Sequence, residues 1–354
     1  MTLSVCMIVK DEEATLARCI DCVKPFADEI IIVDTGSTDA TVKIAGSLDA
    51  KVFFFEWCDD FSAARNFSFS KAESDLVMWL DADDVITPEN ARKIAALKER
   101  GDFDVAFLQY AAAFDGDNPT FVYYRERIFR RSMNFMWQGF VHEAVSPAGR
   151  QTYSDACIYH KKLKSGDPFR NLNMFQRHIS RGERLCAREK FYYGRELFFC
   201  GMYHECTAVL NDFLKGGGWV ENEIEACRTI FKAYRILGRE EEAISALLQA
   251  FSYDFPRAED CCYLAEYFED KNAIDAAIYW YERALSSKER AESGGFVNVD
   301  FLVFIPAIRL CVLYDKAGDF VRAEQYNEIA GSAKPNDKSY LYNKEYFKTK
   351  LTGK

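Results

Sequence analysis

From Leu3 to about Ala112 short apolar runs alternate with amphipathic stretches, the pattern of a parallel sheet with crossover helices. It predicts strands at residues 3–9, 29–33, 51–55, 75–80 and 105–110, and helices at 13–23, 39–48, 61–71 and 88–100. The connections are short enough for a doubly wound domain. Past Gly116, aromatic and β-branched segments at 121–129, 135–145 and 156–159 predict an antiparallel extension of that sheet. Residues 161–168 then read as a linker ending at Pro168.

Beyond Pro168 the period changes to that of helices. Leu197, Gly201, Cys206 and Leu210 can be laid over Tyr234, Gly238, Ala243 and Leu247, over Phe268, Asn272, Ala277 and Tyr281, and over Tyr314, Gly318, Ala323 and Asn327. Phe213, Ala250, Ala284 and Ala330 extend each register. A large residue, a turn residue and a small residue at these offsets resemble the tetratricopeptide repeat, whose helix pairs stack into a continuous core with a concave surface. Successive registers lie 37, 34 and 46 residues apart, the longest step carrying an insertion at 286–298. The expected organisation is therefore an α/β domain over residues 1–165 and an all-α repeat domain over 166–354.

Composition narrows the function. A chain of 354 residues exceeds the usual size of one core, and 49% apolar content supports packed domains. The formal net charge of -10 disfavours nucleic acid as a partner, and an anionic nucleotide would need a local cation or arginine. A strand beginning at Leu3 leaves no room for a signal peptide, and the longest apolar stretch, 301–314, is broken by Pro306 and Arg309, so no membrane span is expected. Twelve cysteines without an export signal point to reduced thiols and a cytoplasmic location. Cys19 and Cys22 lack the second pair of a four-cysteine zinc site and read as helix packing.

The chemistry gathers at strand ends. Asp81-Ala82-Asp83 follows the apolar run 76–80, and side chains two apart share a face. Two carboxylates there repel unless a cation intervenes, and a hard divalent ion between carboxylates and a diphosphate is the simplest solution. The bland alternative is an acidic turn before a helix capped by Thr87, with Pro88 at its first position. Asp34 ends the second strand, where a carboxylate beside a glycine turn can accept from a base N–H or ribose hydroxyls. Asp60 precedes a helix that carries Arg65 and Asn66. Capping alone accounts for an acid at that place, but successive strand ends are where a doubly wound fold assembles a site.

Ser4-Val5-Cys6-Met7-Ile8-Val9-Lys10-Asp11-Glu12-Glu13, Asp34-Thr35-Gly36-Ser37-Thr38-Asp39, the run from Asp60 to Asn66, and Trp79-Leu80-Asp81-Ala82-Asp83-Asp84 resemble the family 2 glycosyltransferases of GT-A fold. Gly139-Phe140-Val141-His142-Glu143 and Ile158-Tyr159-His160 are similar to later motifs of the branch with helical repeats, which includes the glycocin peptide S-glycosyltransferases. The resemblance implies a UDP-sugar donor, with Asp34 at the uracil or ribose, Asp60, Arg65 and Asn66 near the base, and Asp81 at the ribose or metal. It further implies Mn²⁺ or Mg²⁺ held chiefly by Asp83, with His160 a further ligand or diphosphate contact. An inverting displacement needs a base on the acceptor side. Glu143 is the first candidate, expected on a strand beside Val141 and Val145, and His142 is the second. An edge-strand Glu143 paired with Arg127 or Arg130 is the structural alternative.

No phosphate-loop or dinucleotide glycine motif is present. The expected acceptor is a peptide or protein side chain, cysteine included, with surface or lipid-linked glycans as the alternative. A repeat-based adaptor with a decayed transferase half is the competing class.

Overall fold

The computed structural model describes residues 1–116, 118–163, 166–287 and 298–352. It divides into two compact units, Met1–Arg184 and Leu185–Lys354.

The first unit is built on an eight-stranded mixed sheet. Its parallel half joins β1 (Leu3–Val9), β2 (Glu29–Asp34), β3 (Lys51–Phe54) and β4 (Leu76–Trp79) in the order β3-β2-β1-β4. Every β4 side chain is buried, as expected of strands covered on both faces. The covering helices are α1 (Leu16–Val23), α2 (Thr41–Ser47), α3 (Phe61–Ser70) and α4 (Pro88–Arg100). α4 starts where the sequence predicts, because Thr87 accepts from the Asn90 N–H and Pro88 needs no donor. It stops at Gly101, whose φ of 55° is left-handed. All twelve cysteines are free, and α1 carries Cys19 and Cys22 as packing residues.

The other half departs from expectation in three ways. β6 (Val105–Asp115) does not join β4, because β7 (Asn118–Arg130) inserts antiparallel between them. A three-residue strand absent from the prediction, β5 (Asp84–Ile86), pairs antiparallel with the end of β10 (Gln151–His160), and β10 also runs parallel to β6. The predicted strand at 135–145 is only the ribbon of β8 (Trp137–Gln138) and β9 (Ala144–Val145). Positive φ at Gly139 (90°) and His142 (54°) turns the chain between them, so Glu143 sits on a loop and not on a strand.

The linker expected at 161–168 includes residues 164 and 165, which lie outside the described residues. After it, α5 (Arg170–Ser180) still belongs to the first unit, so the chain divides at 184 and not at 165. Arg177 clasps Asp59 with two bonds of 2.8 Å, Arg181 adds a third at 3.2 Å, and His178 stacks on Phe140 at 3.8 Å. A strand-free, amphipathic segment looks like the start of a repeat. Only these contacts reveal its allegiance.

The second unit is all helix. It comprises α6 (Ala187–Phe199), α7 (Tyr203–Gly216), α8 (Val220–Ile236), α9 (Glu240–Gln249), α10 (Ala258–Asp270), α11 (Ile274–Leu285), α12 (Phe304–Lys316), α13 (Phe320–Ala333) and α14 (Lys338–Thr352). The four expected registers fall on α6/α7, α8/α9, α10/α11 and α12/α13. Each turn residue, Gly201, Gly238, Asn272 and Gly318, has a left-handed φ between 56° and 79°. Each first helix also closes with the same bond, to the carbonyls of Leu197, Tyr234, Phe268 and Tyr314 from the N–H five residues on. Cys206, Ala243, Ala277 and Ala323 are wholly buried, which lets the paired helices approach. The expected insertion at 286–298 falls largely outside the described residues, since 288–297 are not among them. Arg228 of α8 and Asp260 of α10 form a buried two-bond pair at 2.5 and 3.0 Å that no periodicity announced.

Gly238→Ala forces a Cβ into a left-handed turn and should lower stability by about 1–2 kcal/mol, read from denaturant melts of the full chain. Asp59 is held below the ordinary carboxylate range by its hydrogen bonds to Arg177. A depressed folded-state pKa means the contribution is complete above about pH 4 and fades as pH falls further. Melting curves of wild type and Asp59→Asn should therefore differ at pH 6 and converge below pH 4; a constant offset would remove the ion pair as its cause.

Candidate active site

A cleft of about 460 Å³ opens at the carboxyl ends of β1 and β4, lined by residues of the β1, β2 and β4 ends, of the loop before α3, of the 139–143 loop and of α5. Arg65 forms one wall. Asp60 caps α3 by accepting from the Ala63 N–H, and that start places Arg65 in the second turn, beneath the cleft. Its guanidinium carbon lies 4.6 Å from the Trp79 ring centre and 5.0 Å from that of Trp137. Nε donates to Glu143 at 2.6 Å and Nη2 to Asp81 at 2.9 Å. Burial works against the Asp81 carboxylate, but Arg65 and Arg127 outweigh it and hold its pKa down at about 2.

Behind Asp81 lies a second buried cation. Arg127 of β7 is fully buried, with its guanidinium carbon 3.7 Å from the Trp79 ring centre and 4.4 Å from that of Tyr110. Nη1 reaches Asp84 at 3.3 Å, whereas Nε and Nη2 have no hydrogen-bond partner among the described residues. Two aromatic faces and one carboxylate thus replace water around this charge. Asp84 is in turn consumed by Arg127, by the Tyr110 hydroxyl at 3.2 Å and by the Asp81 N–H at 3.1 Å.

The β5–β10 pairing sets Asp84 opposite His160. Nδ1 of His160 consequently lies 3.3 Å from both Asp83 and Asp84. Hydrogen bonding to Asp83 and then Asp84 pushes the imidazole pKa up to about 10. Asp83, Asp84 and His160 present ligand atoms within 4.8 Å of one another, and Asp83 and His160 line the cleft. The donor set fits a divalent cation: the field that holds a proton on His160 favours any positive charge, and Asp83 and His160 face open space while Asp84 serves Arg127.

The structure brings together Arg65, Asp81, Asp83, His142, Glu143 and His160 around one cleft. It does not bring Asp34, Asp60 and Asn66 to the lining. Asp34 accepts from the Gly36 and Ser37 N–H groups at 3.0 and 3.1 Å, and Asp60 caps α3. Asn66 holds the Trp137 backbone by both its amide atoms, at 3.0 and 2.8 Å. The partner of Glu143 is Arg65, and neither Arg127, paired with Asp84, nor Arg130, paired with Asp104. Sequence reasoning missed Tyr110 and the roles of Arg127 and Asp84. An arginine inside the apolar alternation of β7 was the available signal for Arg127. Lys10, Trp57, Arg125, Lys162 and Arg170 also line the cleft, the last two from beyond the expected catalytic strands.

The family model described as Glycosyl transferase family 2 matches residues 4–149. The chain carries a family 2 glycosyl transferase domain. Its mixed sheet is of the GT-A kind, followed by tetratricopeptide-like helices. A TPR repeat-containing protein of Synechococcus elongatus is 29% identical over 91% of this chain and 75% of its own length. The SPbeta prophage-derived glycosyltransferase SunS of Bacillus subtilis is 28% identical over 60% of this chain, which spans about half (52%) of SunS. Glucosyl-3-phosphoglycerate synthase of Mycobacterium tuberculosis, solved with Mn²⁺ and UDP, is 20% identical over 37% of this chain and 57% of that one, at a TM-score of 0.31. No helix among the described residues is long and apolar enough to cross a membrane.

Arg127→Leu strands the buried Asp84 carboxylate and should cost about 3–5 kcal/mol. Adding Asp84→Asn should return part of that loss, measured by denaturant melts of both variants.

Proposed function

We propose that this protein transfers one sugar from a UDP-sugar to a peptide or protein side chain, with inversion at the anomeric carbon and dependence on a divalent metal. The observation that carries the reading is the pairing, across one cleft, of a cation-seeking cluster (Asp83 and His160) with an ion-paired carboxylate (Glu143) 2.6 Å from Arg65. Asp83 and His160 would hold Mn²⁺ or Mg²⁺, which when bound supplies positive charge to the departing diphosphate.

The remaining work belongs to the chain. Asp81, kept ionised, is the donor-side carboxylate for the ribose or metal. The acceptor's nucleophile attacks the anomeric carbon as the bond to the nucleoside diphosphate breaks, and Glu143 accepts the proton the nucleophile gives up, with His142 as the second candidate. Trp57 and Trp79 line the cleft and give it apolar walls. A thiol acceptor eases the demand on the base, since its ordinary pKa of about 8.5 lies far below that of a hydroxyl. The repeats supply the surface on which an extended peptide would lie. The likeness of residues 139–143 to the glycocin S-glycosyltransferases supports the same acceptor class.

Asp83→Ala should abolish Mn²⁺-dependent UDP binding in calorimetry. Glu143→Gln should retain that binding and lower UDP release by roughly 10²- to 10⁴-fold. Unchanged turnover in the Glu143 variant would exclude it as the base, and UDP binding indifferent to Mn²⁺ in wild type would sink the metal-dependent reading.

A further inference from the structure

Glu143 has no ladder of sheet hydrogen bonds to fix it. It ends a loop in which Gly139 and His142 both have positive φ, between two strands of two residues each. A carboxylate on such a loop can occupy several rotamers, whereas a general base has to meet its proton within hydrogen-bond reach. The loop is braced instead from α3: the Phe61 N–H donates to Phe140 O at 3.0 Å, Asn66 grips Trp137, and Arg65 Nε reaches Glu143.

Arg65 is itself enclosed. It is 7% exposed, packs against the indoles of Trp79 and Trp137, which themselves meet edge to face at 5.1 Å, and has Nε and Nη2 committed to two carboxylates that come from different parts of the chain. Burial alone would weaken its charge, and Asp81 and Glu143 outweigh that effect and push its pKa up. A planar guanidinium holds two such partners at fixed separation and angle, which an ammonium on a flexible stem does not.

We propose that Arg65 is a positioning residue that spaces the acceptor-side base Glu143 from the donor-side carboxylate Asp81, and is not a ligand of the donor's uracil. The proposal rests on the reading of Glu143 as base. It makes the two halves of the site one mechanical unit: α3 carries the ruler, and the paired indoles give its guanidinium an apolar surface to pack on. Misplacement of a reacting group by about 1 Å costs on the order of 10²-fold in rate, so losing the fork should act on turnover and spare donor affinity.

The test is a double-mutant cycle on the full chain with Arg65→Lys, Glu143→Gln and both. UDP affinity with Mn²⁺ is measured by calorimetry. Turnover is UDP release, with water as acceptor, from whichever of UDP-glucose, UDP-galactose and UDP-N-acetylglucosamine wild type uses fastest. Arg65→Lys should lower kcat by roughly 10²-fold with UDP affinity within about threefold of wild type, and should add little to the loss already caused by Glu143→Gln. Trp137→Phe, which shrinks the aromatic surface that Arg65 packs on and leaves both carboxylates in place, should move kcat the same way by a smaller factor and covers the case in which Arg65→Lys does not fold. Weakened UDP binding with normal saturated turnover would make Arg65 a donor ligand and overturn the proposal. Fully multiplicative losses in the double variant would overturn it as well. If Glu143→Gln alone turns over normally, the base assignment fails first and the positioning role falls with it.

Discussion

Charge balance around one buried indole underlies the whole catalytic unit. Arg65, Arg125 and Arg127 all place their guanidinium carbons within 5.1 Å of the Trp79 ring centre, and Asp81, Asp84 and Glu143 answer the first and last of them. Charges taken out of water are expensive unless paired, and a partner removed leaves the other uncompensated. Each arginine therefore constrains the carboxylates beside it as firmly as they constrain the arginine. The cleft inherits Asp81 already ionised, held low by two guanidinium groups before any substrate arrives. Such a network specifies geometry more than it adds stability.

Sheet topology converts that balance into a site. β4 delivers Trp79 and then Asp81-Ala82-Asp83 at its carboxyl end, while β7, lying antiparallel beside β4, brings Arg127 up under them. The chain then turns back through β5, only three residues long, whose pairing with β10 carries His160 to Asp83. A cation-seeking cluster thus forms from groups 76 residues apart, read off the His160–Asp84 contact. α5 completes the enclosure by packing Phe175 and His178 on Phe140, so the loop bearing His142 and Glu143 is supported from outside the sheet.

The helical unit follows a different logic, with local signals repeated. Four left-handed turns end the first helix of each pair, and fully buried small residues let the paired helices approach. The Arg228–Asp260 pair, wholly inside, joins α8 to α10 across consecutive repeats and is the kind of buried charge pair that fixes register.

The sequence by itself determined whatever depends on neighbours along the chain. Apolar runs gave β1 to β4, Thr87, Pro88 and Gly101 bounded α4 to the residue, and the spacing of Gly201, Gly238, Asn272 and Gly318 marked all four turns, because capping and left-handed φ are local properties. The aspartate pair at a strand end and the membership of Arg65, Glu143 and His160 in one site were also legible, through the order of motifs. Only the tertiary structure decided which groups meet. A strand of three residues is too short to carry a period, so β5, and with it the place of Asp84 opposite His160, was invisible. Residues 135–145 read as a strand from composition, yet two residues with positive φ made them a loop. Asp34, Asp60 and Asn66 carry the same side chains in either role, and only the structure shows the backbone groups they hold. Arg127 had to be buried against Trp79 and Tyr110, a contact between strands that no single strand encodes.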